Sequence, residues 1–258
     1  MREGDLPGGY SARALQRDDL PALLEMITAC SIADAGHVRH TLHVLESSYD
    51  TEGFVPVTDT SLVLEASGDC AGLAEVYDLD EGHLQPRAYF DIAPAHRNSG
   101  IHHHLLAFLD RRLREVANRA APDTRVEAVS VPHPKDSPIN QLMTEAGWRV
   151  NRYTWEMAID VAEKPSPPLI PEGFVIREGV AGQDEEPVYR ASEETFADHF
   201  GFVPTAYDRW LAMIVSYLES PPNLWLIAET TGDVDEVAEV AGMALTSLRY
   251  REEPETGT

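Results

Sequence analysis

Apolar residues recur at a helical spacing in the middle of the chain. They stand four, four, four and three positions apart, at Ile101, Leu105, Leu109, Leu113 and Val116. This spacing places all five on one face of a helix. The residues before them, 89–92, have the pattern of a short strand, which Pro94 ends because proline has no N–H for a ladder. The stretch 89–115 is therefore predicted to be a strand, a turn and an amphipathic helix.

The turn has residues suited to a helix start and to an anion. Asn98 and Ser99 are good helix N-caps, and Gly100 lets the backbone come close to a ligand. Free N–H groups at the positive end of a helix dipole favour a phosphate. An ordinary strand–helix connection would use the same residues. The motifs G-x-x-x-x-G-K-[ST] and G-x-G-x-x-G are absent, which disfavours an NTPase or a nicotinamide-dependent enzyme.

The other elements before residue 163 alternate between strands and helices. Strand patterns are found at 10–15, 61–65, 72–77, 126–131 and 148–159. Helical patterns are found from 18 through 50 and at 136–146, where Gly147 is the expected C-cap. This order predicts an α/β fold of mixed α+β layers.

A proline-rich segment separates this part from a partial repeat of it. Residues 164–171, KPSPPLIP, read as a stiff linker. Beyond it, residues 224–248 repeat the pattern of residues 61–76, with an apolar strand, Gly-Asp and then Ala-Gly-[Leu/Met]-Ala. The repeat length of about 165 residues predicts two homologous domains, 1–163 and 172–258. The second domain ends after its third strand and is predicted to be incomplete.

Composition and charge limit the partners. The chain has 258 residues with 43% apolar content and a formal net charge of −24. So acidic a protein repels nucleic acid and anionic membranes, and we expect neither as a partner. Cys30 and Cys70 fit reduced thiols in the cytosol. Because no signal segment and no long apolar run is found, we expect a soluble cytoplasmic protein.

The histidines do not predict a metal site. His37, His40 and His43 are three positions apart, which could put two of them on one helix face, but no carboxylate or cysteine completes a recognised set. Residues 102–104 are consecutive histidines, and consecutive helical side chains diverge by about 100°. We therefore predict that the chain binds no metal ion.

The segment Ile92–Ile101, IAPAHRNSGI, resembles the acetyl-CoA-binding signature of the GNAT acetyltransferase superfamily. That signature is an apolar strand end and a proline, then Arg/Gln-x-x-Gly-x-Gly/Ala running into a helix. Arg97 and Gly100 match it, whereas His102 stands where the family has glycine or alanine. The order of elements in 1–163 is also that of the family, and residues 136–148 resemble its late helix and following strand. There Met143 replaces the tyrosine that serves as general acid, and a thioether cannot donate a proton.

The resemblance implies a tandem GNAT fold with an incomplete second copy, similar to the tandem members that include mycothiol synthase. It implies that acetyl-CoA lies along the central strand and the loop after it, at Phe90, Asp91, Ile92, Arg97, Asn98, Ser99, Gly100, Ile101 and His102. The segment 195–210 resembles the second domain of such proteins, which makes Asp198 and His199 substrate-binding candidates. A helix-capping pair is the alternative for those two. Glu75 and Asp91 are near the expected strands, but neither is assigned as the catalytic base.

Two functions follow from the resemblance. The first is an acetyl-CoA-dependent N-acetyltransferase, in which a small-molecule amine attacks the thioester directly. Arg97 and Gly100 favour it. The alternative is a catalytically weak or inactive CoA-binding or scaffold remnant of a tandem enzyme, which His102, Met143 and the incomplete second domain favour. We expect residues 172–258 to be weakly ordered or completed by self-association, which would make a homo-oligomer.

Overall fold

The computed structural model describes most of the chain. The described residues are 5–38, 40–131, 138–153, 155, 157, 159, 163, 165–199, 201–217, 220–231 and 239–247. They form two compact units, of which one extends to Trp148 and the other spans Arg149–Arg249. The domain boundaries expected from the sequence, at residues 163 and 172, stay a prediction.

The first unit contains a four-stranded sheet and five helices. Its strands are β1 (Tyr10–Arg13), β2 (Thr60–Glu65), β3 (Cys70–Tyr77) and β4 (Arg87–Ile92). They are neighbours in that order, and each pair is antiparallel. Its helices are α1 (Leu20–Ala35), α2 (Leu42–Tyr49), α3 (Pro56–Asp59), α4 (His102–Ala117) and α5 (Pro138–Glu145).

Helix α4 packs on one face of this sheet, as its apolar spacing predicts. The residues of the helical stripe are buried, except Leu113, which packs at its edge. They meet the inward side chains of β4, of which Ala88 and Ile92 are fully buried. A Cβ added at Gly72 would lie 3.0 Å from Leu105 Cδ1, so this glycine permits the close approach of α4. The predicted strand, turn and amphipathic helix are confirmed.

Helix α1 covers the opposite face. Leu23 and Ile27 of α1 pack with Leu62 and Leu73 of the sheet. The predicted continuation of this helix through residue 50 is wrong. Helix α1 ends because Gly36 takes a left-handed φ of 77°, and a new helix starts where the Thr41 side chain accepts a hydrogen bond from the Val44 amide.

Two predicted strands of the first part differ in the structure. Of the predicted strand 126–131, only Val129 forms a bridge, which is parallel and joins it to Arg87. Within 148–159 the described residues form no strand, and the side chains of Trp155 and Met157 are 85% and 91% exposed. Alternation of apolar residues favours an extended backbone, but a strand also needs a neighbour to complete its ladder. The remaining residues of that stretch lie outside the described part.

The second unit has a three-stranded antiparallel sheet. Its elements are β5 (Phe174–Glu178), α6 (Glu185–Phe196), α7 (Tyr207–Leu211), β6 (Trp225–Thr230) and β7 (Val240–Leu245). A π-helical segment, Ala212–Tyr217, follows α7. The fully buried Val188, Trp225 and Ile227 form its core with Trp210 and Ile214.

The two sheets share an irregularity of register. In the first unit the shift lies between Val63 and Leu64, and in the second between Ala228 and Glu229. Each faces the Ala-Gly pair of the sequence repeat, which the register skips by one residue. The sequence repeat is thus accompanied by a matching bulge. The Gly-Asp turn of the second copy, residues 232–233, lies outside the described residues.

No helix in the described part of the chain is long and apolar enough to cross a membrane.

Candidate functional site

A cleft opens beside β4 in the first unit. The amide of Val129 donates to the carbonyl of Pro86 at 2.9 Å, and the amide of Ala88 donates to the carbonyl of Val129 at 2.8 Å. The amide of Glu127 donates to the carbonyl of Leu84 at 2.9 Å on the same side, and within the described residues the pairing does not continue past Ala88 and Val129. Where the two segments continue, they enclose a cavity of about 70 Å³, lined by Asp34, Tyr89, Phe90, Asp91, Ser130 and Val131. Backbone groups of β4 that have no ladder partner here are available to a ligand.

Two carboxylates share the face of the sheet that meets α1. Glu75 on β3 is opposite Tyr89, and Leu73 is opposite Asp91, so Glu75 and Asp91 are diagonal neighbours. Burial, followed by the nearby charge of Asp91, raises the pKa of Glu75 to about 7. The Tyr77 hydroxyl donates to Glu75 Oε1 at 3.3 Å and works against that rise. Glu75 is therefore able to take up or release a proton near neutral pH.

Aromatic rings lie next to this carboxylate pair. The rings of Phe54 and Tyr77 stack with centroids 4.3 Å apart, and the ring of Tyr89 meets Tyr77 edge-on at 6.0 Å. Ring faces and carboxylates both attract a cation. The surface beside the cavity is thus suited to a positively charged group.

The loop after β4 presents backbone amides at the start of α4. Gly100 has a left-handed φ of 89°, which permits the sharp turn into the helix. The N-cap of α4 is Ile101 and no side chain caps the helix, so the prediction that Asn98 and Ser99 cap it is wrong. The Ser99 hydroxyl donates to the carbonyl of His96 at 2.7 Å and accepts from the amide of Ile101 at 3.4 Å, one residue before the helix. Among the described residues, the amides of Asn98, Gly100 and His102 have no acceptor. Such amides suit an anion.

The side chain of Arg97 is engaged within the protein. Its Nη1 and Nη2 donate to Asp34 Oδ1 and Oδ2, each at 2.8 Å. Its Nε donates to the carbonyl of Ile92 at 3.4 Å, which also accepts from the Cys30 thiol at 3.3 Å. Burial raises the pKa of Cys30 to about 12, so this thiol stays protonated. The assignment of the loop to acetyl-CoA stays a prediction.

His102 has an unusual environment at the start of α4. Its Nδ1 is buried and has no hydrogen-bond partner. Its ring lies against that of His103, with centroids 4.0 Å apart. Burial and then the neighbouring His103 lower the pKa of His102. Both effects disfavour the charged form of the ring, which is the form that would attract a phosphate.

Of the predicted site residues on β4, Ile92 does not line this cleft. The side chain of Ile92 is fully buried in the core. Met143 is 5% exposed and packs in the same core. Asp198 and His199 follow α6 on an exposed turn, where the His199 amide donates to the carbonyl of Phe196 at 2.8 Å. Their assignment to a substrate stays a prediction.

Asp34 is a site residue that the sequence reasoning missed. It lies in the last turn of α1, where the helix dipole disfavours a negative charge. An acidic residue at that position signals a compensating partner, although the sequence does not say which. The described residues include no group of three or more His, Cys, Asp or Glu that could hold a metal ion.

Comparisons with known proteins agree with this fold. No protein-family model matches the chain. The mycothiol acetyltransferase of Cellulomonas flavigena is 32% identical over 122 residues, which are 44% of this chain and 31% of that protein. The chain therefore matches less than a third of this curated relative's length.

Solved structures give a broader match. The GCN5-related N-acetyltransferase of Sphaerobacter thermophilus aligns with 95% of this chain and 74% of its own, with a TM-score of 0.74 and 28% identity. The structure of yncA from Salmonella typhimurium, which contains its cofactor acetyl-CoA, covers 60% of this chain and 88% of its own at 16% identity and a TM-score of 0.45. That second likeness is too distant to add to the argument. The fold and the first two similarities support the GNAT superfamily, whose solved N-acetyltransferase structures have the same fold as this chain.

Proposed function

We propose that this chain is an acetyl-CoA-dependent N-acetyltransferase acting on a small-molecule amine. The observation that carries the proposal is the loop after β4, where the amides of Asn98, Gly100 and His102 have no acceptor among the described residues. These amides lie at the start of a helix and suit the diphosphate of CoA. The adjoining cavity, where β4 parts from its parallel neighbour, is lined by residues 89–91. It suits the pantetheine arm and the thioester.

The reaction is a transfer of the acetyl group to nitrogen. The amine nitrogen attacks the thioester carbonyl carbon, a C–N bond forms, and the C–S bond breaks to release the CoA thiolate. An ammonium ion gives up two protons in this reaction. Glu75 accepts the first, directly or through a water molecule, which frees the nitrogen lone pair for attack, and the second leaves as the amide forms and protonates the CoA thiolate. With its pKa near 7, Glu75 is suited to this role, because a base works best when its pKa lies near the operating pH.

The acceptor class follows from the charge beside the cavity. Asp91 lines the cavity, and Tyr89 is opposite Glu75 on the neighbouring strand. An amine arrives as a cation at neutral pH and is attracted to this surface before it loses its proton. The negative charge of the whole chain, −24, favours the approach of a cation in the same way.

The first experiment is acetyl-CoA binding by calorimetry, with Gly100→Trp as the test variant. Trp at Gly100 would strain the left-handed backbone and cover the loop, and binding should be lost. The matched control is Gly68→Trp. Gly68 has a φ of 96° in the β2–β3 turn, and a Cβ added there meets nothing within 4 Å. Unchanged affinity in Gly100→Trp would refute the assignment of the loop.

The second experiment is release of free thiol from acetyl-CoA across a panel of amines. We expect release with a cationic amine, and a lower kcat in Glu75→Gln that no longer rises with pH near 7. The alternative function, a CoA-binding protein without catalysis, is favoured by Met143, whose side chain is buried where the family has its proton donor. Binding of acetyl-CoA without thiol release from any amine would support that alternative.

We also propose that residues 1–163 and 172–258 are two copies of one fold, joined by the linker 164–171. The matching register shifts of β2 and β6 support this proposal. A second similarity is the pairing of Arg13 with Asp19 and of Arg177 with Asp184, since each arginine lies in the last two residues of a first strand and each aspartate directly precedes an α-helix. Self-association through the second copy is part of the same proposal. Sedimentation over a range of protein concentrations tests it.

The free cysteines Cys30 and Cys70 fit the cytoplasmic location that we propose.

A further inference from the structure

Arg97 belongs to a loop that is fastened on two sides. On one side, its guanidinium forms a two-pronged pair with Asp34 of α1. On the other side, His96 Nδ1 lies 2.8 Å from the Tyr10 hydroxyl, and His96 Nε2 lies 2.8 Å from Glu65 Oε1. Tyr10 and Glu65 face each other across β1 and β2. Two consecutive loop residues therefore attach the loop to α1 and to strands β1 and β2 of the sheet.

Each guanidinium nitrogen already donates one hydrogen bond within the protein, which uses three of the five N–H groups. Nη1 and Nη2 bind Asp34, and Nε binds the carbonyl of Ile92. The side chains of Arg97 and Asp34 are only 14% and 4% exposed. An arginine that turned towards a phosphate would leave the Asp34 carboxylate buried and unpaired, which is strongly unfavourable.

We infer that Asp34 and Arg97 are positioning residues for the loop that binds the diphosphate. Arg97 ties the end of β4, through Ile92, to the end of α1. The diphosphate is left to the backbone amides at the start of α4. Asp34 also lines the cavity, so one ion pair fixes the loop against the wall of the cleft. This inference rests on the proposed function, because it assigns a role within the same acetyl-CoA site.

The test is the affinity for acetyl-CoA, measured by calorimetry in the absence of an amine. Asp34→Asn removes the charge of the aspartate and keeps its shape. If Arg97 is held for positioning, this variant should bind acetyl-CoA about 10- to 100-fold more weakly, because small displacements of a binding loop are costly. If Arg97 binds the phosphate, Asp34→Asn should bind more tightly, since it frees the guanidinium and removes a negative charge. The two readings thus predict opposite signs.

Arg97→Lys is the second variant. Lysine binds phosphate as a point charge but cannot form the two-pronged pair with a carboxylate. We expect a loss of affinity like that of Asp34→Asn. We also expect the double variant to bind acetyl-CoA no more weakly than the single variant that has the lower affinity, because both substitutions remove the same contact. In turnover assays, Arg97→Lys should raise KM for acetyl-CoA by a larger factor than it lowers kcat. The control is Arg114→Ala, which removes an exposed pair with Asp110 on α4.

Hydrogen exchange in the ligand-free proteins gives an independent readout. Amides of the loop 93–101 should exchange faster in Asp34→Asn and Arg97→Lys, whereas those of β2 and β3 should not change. Tighter binding by Asp34→Asn, or full retention of affinity by Arg97→Lys, would overturn the inference and leave the proposed function intact. Failure of the unmodified chain to bind acetyl-CoA would overturn the proposed function, and the inference with it.

Discussion

Glu75→Gln is expected to stabilise the first unit at alkaline pH. The pKa of Glu75 is raised from 4.5 to about 7, first by burial and then by Asp91. The folded chain therefore holds this proton more tightly than the unfolded chain does. Between these two pH values the folded state binds more protons, so the free energy of unfolding falls as the pH rises. Because glutamine carries no charge at any pH, the free energy of unfolding of Glu75→Gln should not show this fall.

The size of the effect follows from the same values. A rise from 4.5 to about 7 corresponds to about 3 kcal/mol. Glu75 is half-buried, and the water that reaches it screens part of its charge, so we expect about 2 kcal/mol. At pH 8, the free energy of unfolding of Glu75→Gln should exceed that of the unmodified chain by this amount. Below pH 4.5 the difference should vanish, because the carboxyl is then protonated in both states.

The measurement is urea denaturation at several pH values, followed by pulsed hydrogen exchange. Peptides from β3 report on the first unit separately from the second. The control is Glu81→Gln, a substitution at an exposed position. Asp91→Asn should lower the pKa of Glu75 and reduce the fall in stability with pH. If the free energies of unfolding of Glu75→Gln and of the unmodified chain changed with pH in the same way, the pKa of Glu75 would not be raised in the folded state.

Two further predictions concern buried polar groups. Asp59→Ala should destabilise the first unit by about 3 kcal/mol in urea titration, because the buried Arg112 would lose its buried partner at 2.7 Å and keep only the half-exposed Glu115 at 3.1 Å. Asp110→Ala, at an exposed pair, should change the stability by less than about 1 kcal/mol. A similarly small loss in Asp59→Ala would contradict the reasoning. His102→Gly should tighten acetyl-CoA binding about tenfold in calorimetry, because it removes a ring at the start of α4; a loss of affinity would mean that the loop uses the histidine.

Elements with local signals were predictable from the sequence. The stripe that begins at Ile101 defines α4 without any knowledge of the rest of the fold, because helical periodicity is contained within the element. Gly147 was likewise expected to end α5, and it takes a left-handed φ of 93°. The break between α1 and α2 was also encoded locally, by Gly36 and Thr41. It was not predicted, because apolar residues continue on both sides of it and favour one long helix.

Elements that depend on distant partners were not predictable. The residues around Val129 form a short parallel bridge instead of a full strand, because the two paired segments separate beyond it. The partner, Arg87, lies 42 positions earlier, so the local sequence does not indicate where the pairing ends. The pKa of Glu75 has the same origin. Its neighbour Asp91 follows 16 positions later and comes close only through the β3–β4 register. A sequence pattern identifies both carboxylates but does not say that they interact.

The loop after β4 shows what a short motif specifies. Gly100 is needed for its backbone, since φ is 89° there, and this requirement is local. The partner of Arg97 is Asp34, 63 positions earlier, and no spacing within the motif could reveal it. The motif R-x-x-G therefore predicts where the backbone turns and exposes its amides. It does not predict what the arginine side chain contacts. For this reason a match to the motif supports an anion site made of backbone groups, and the role of the arginine has to be derived from the three-dimensional contacts of its guanidinium.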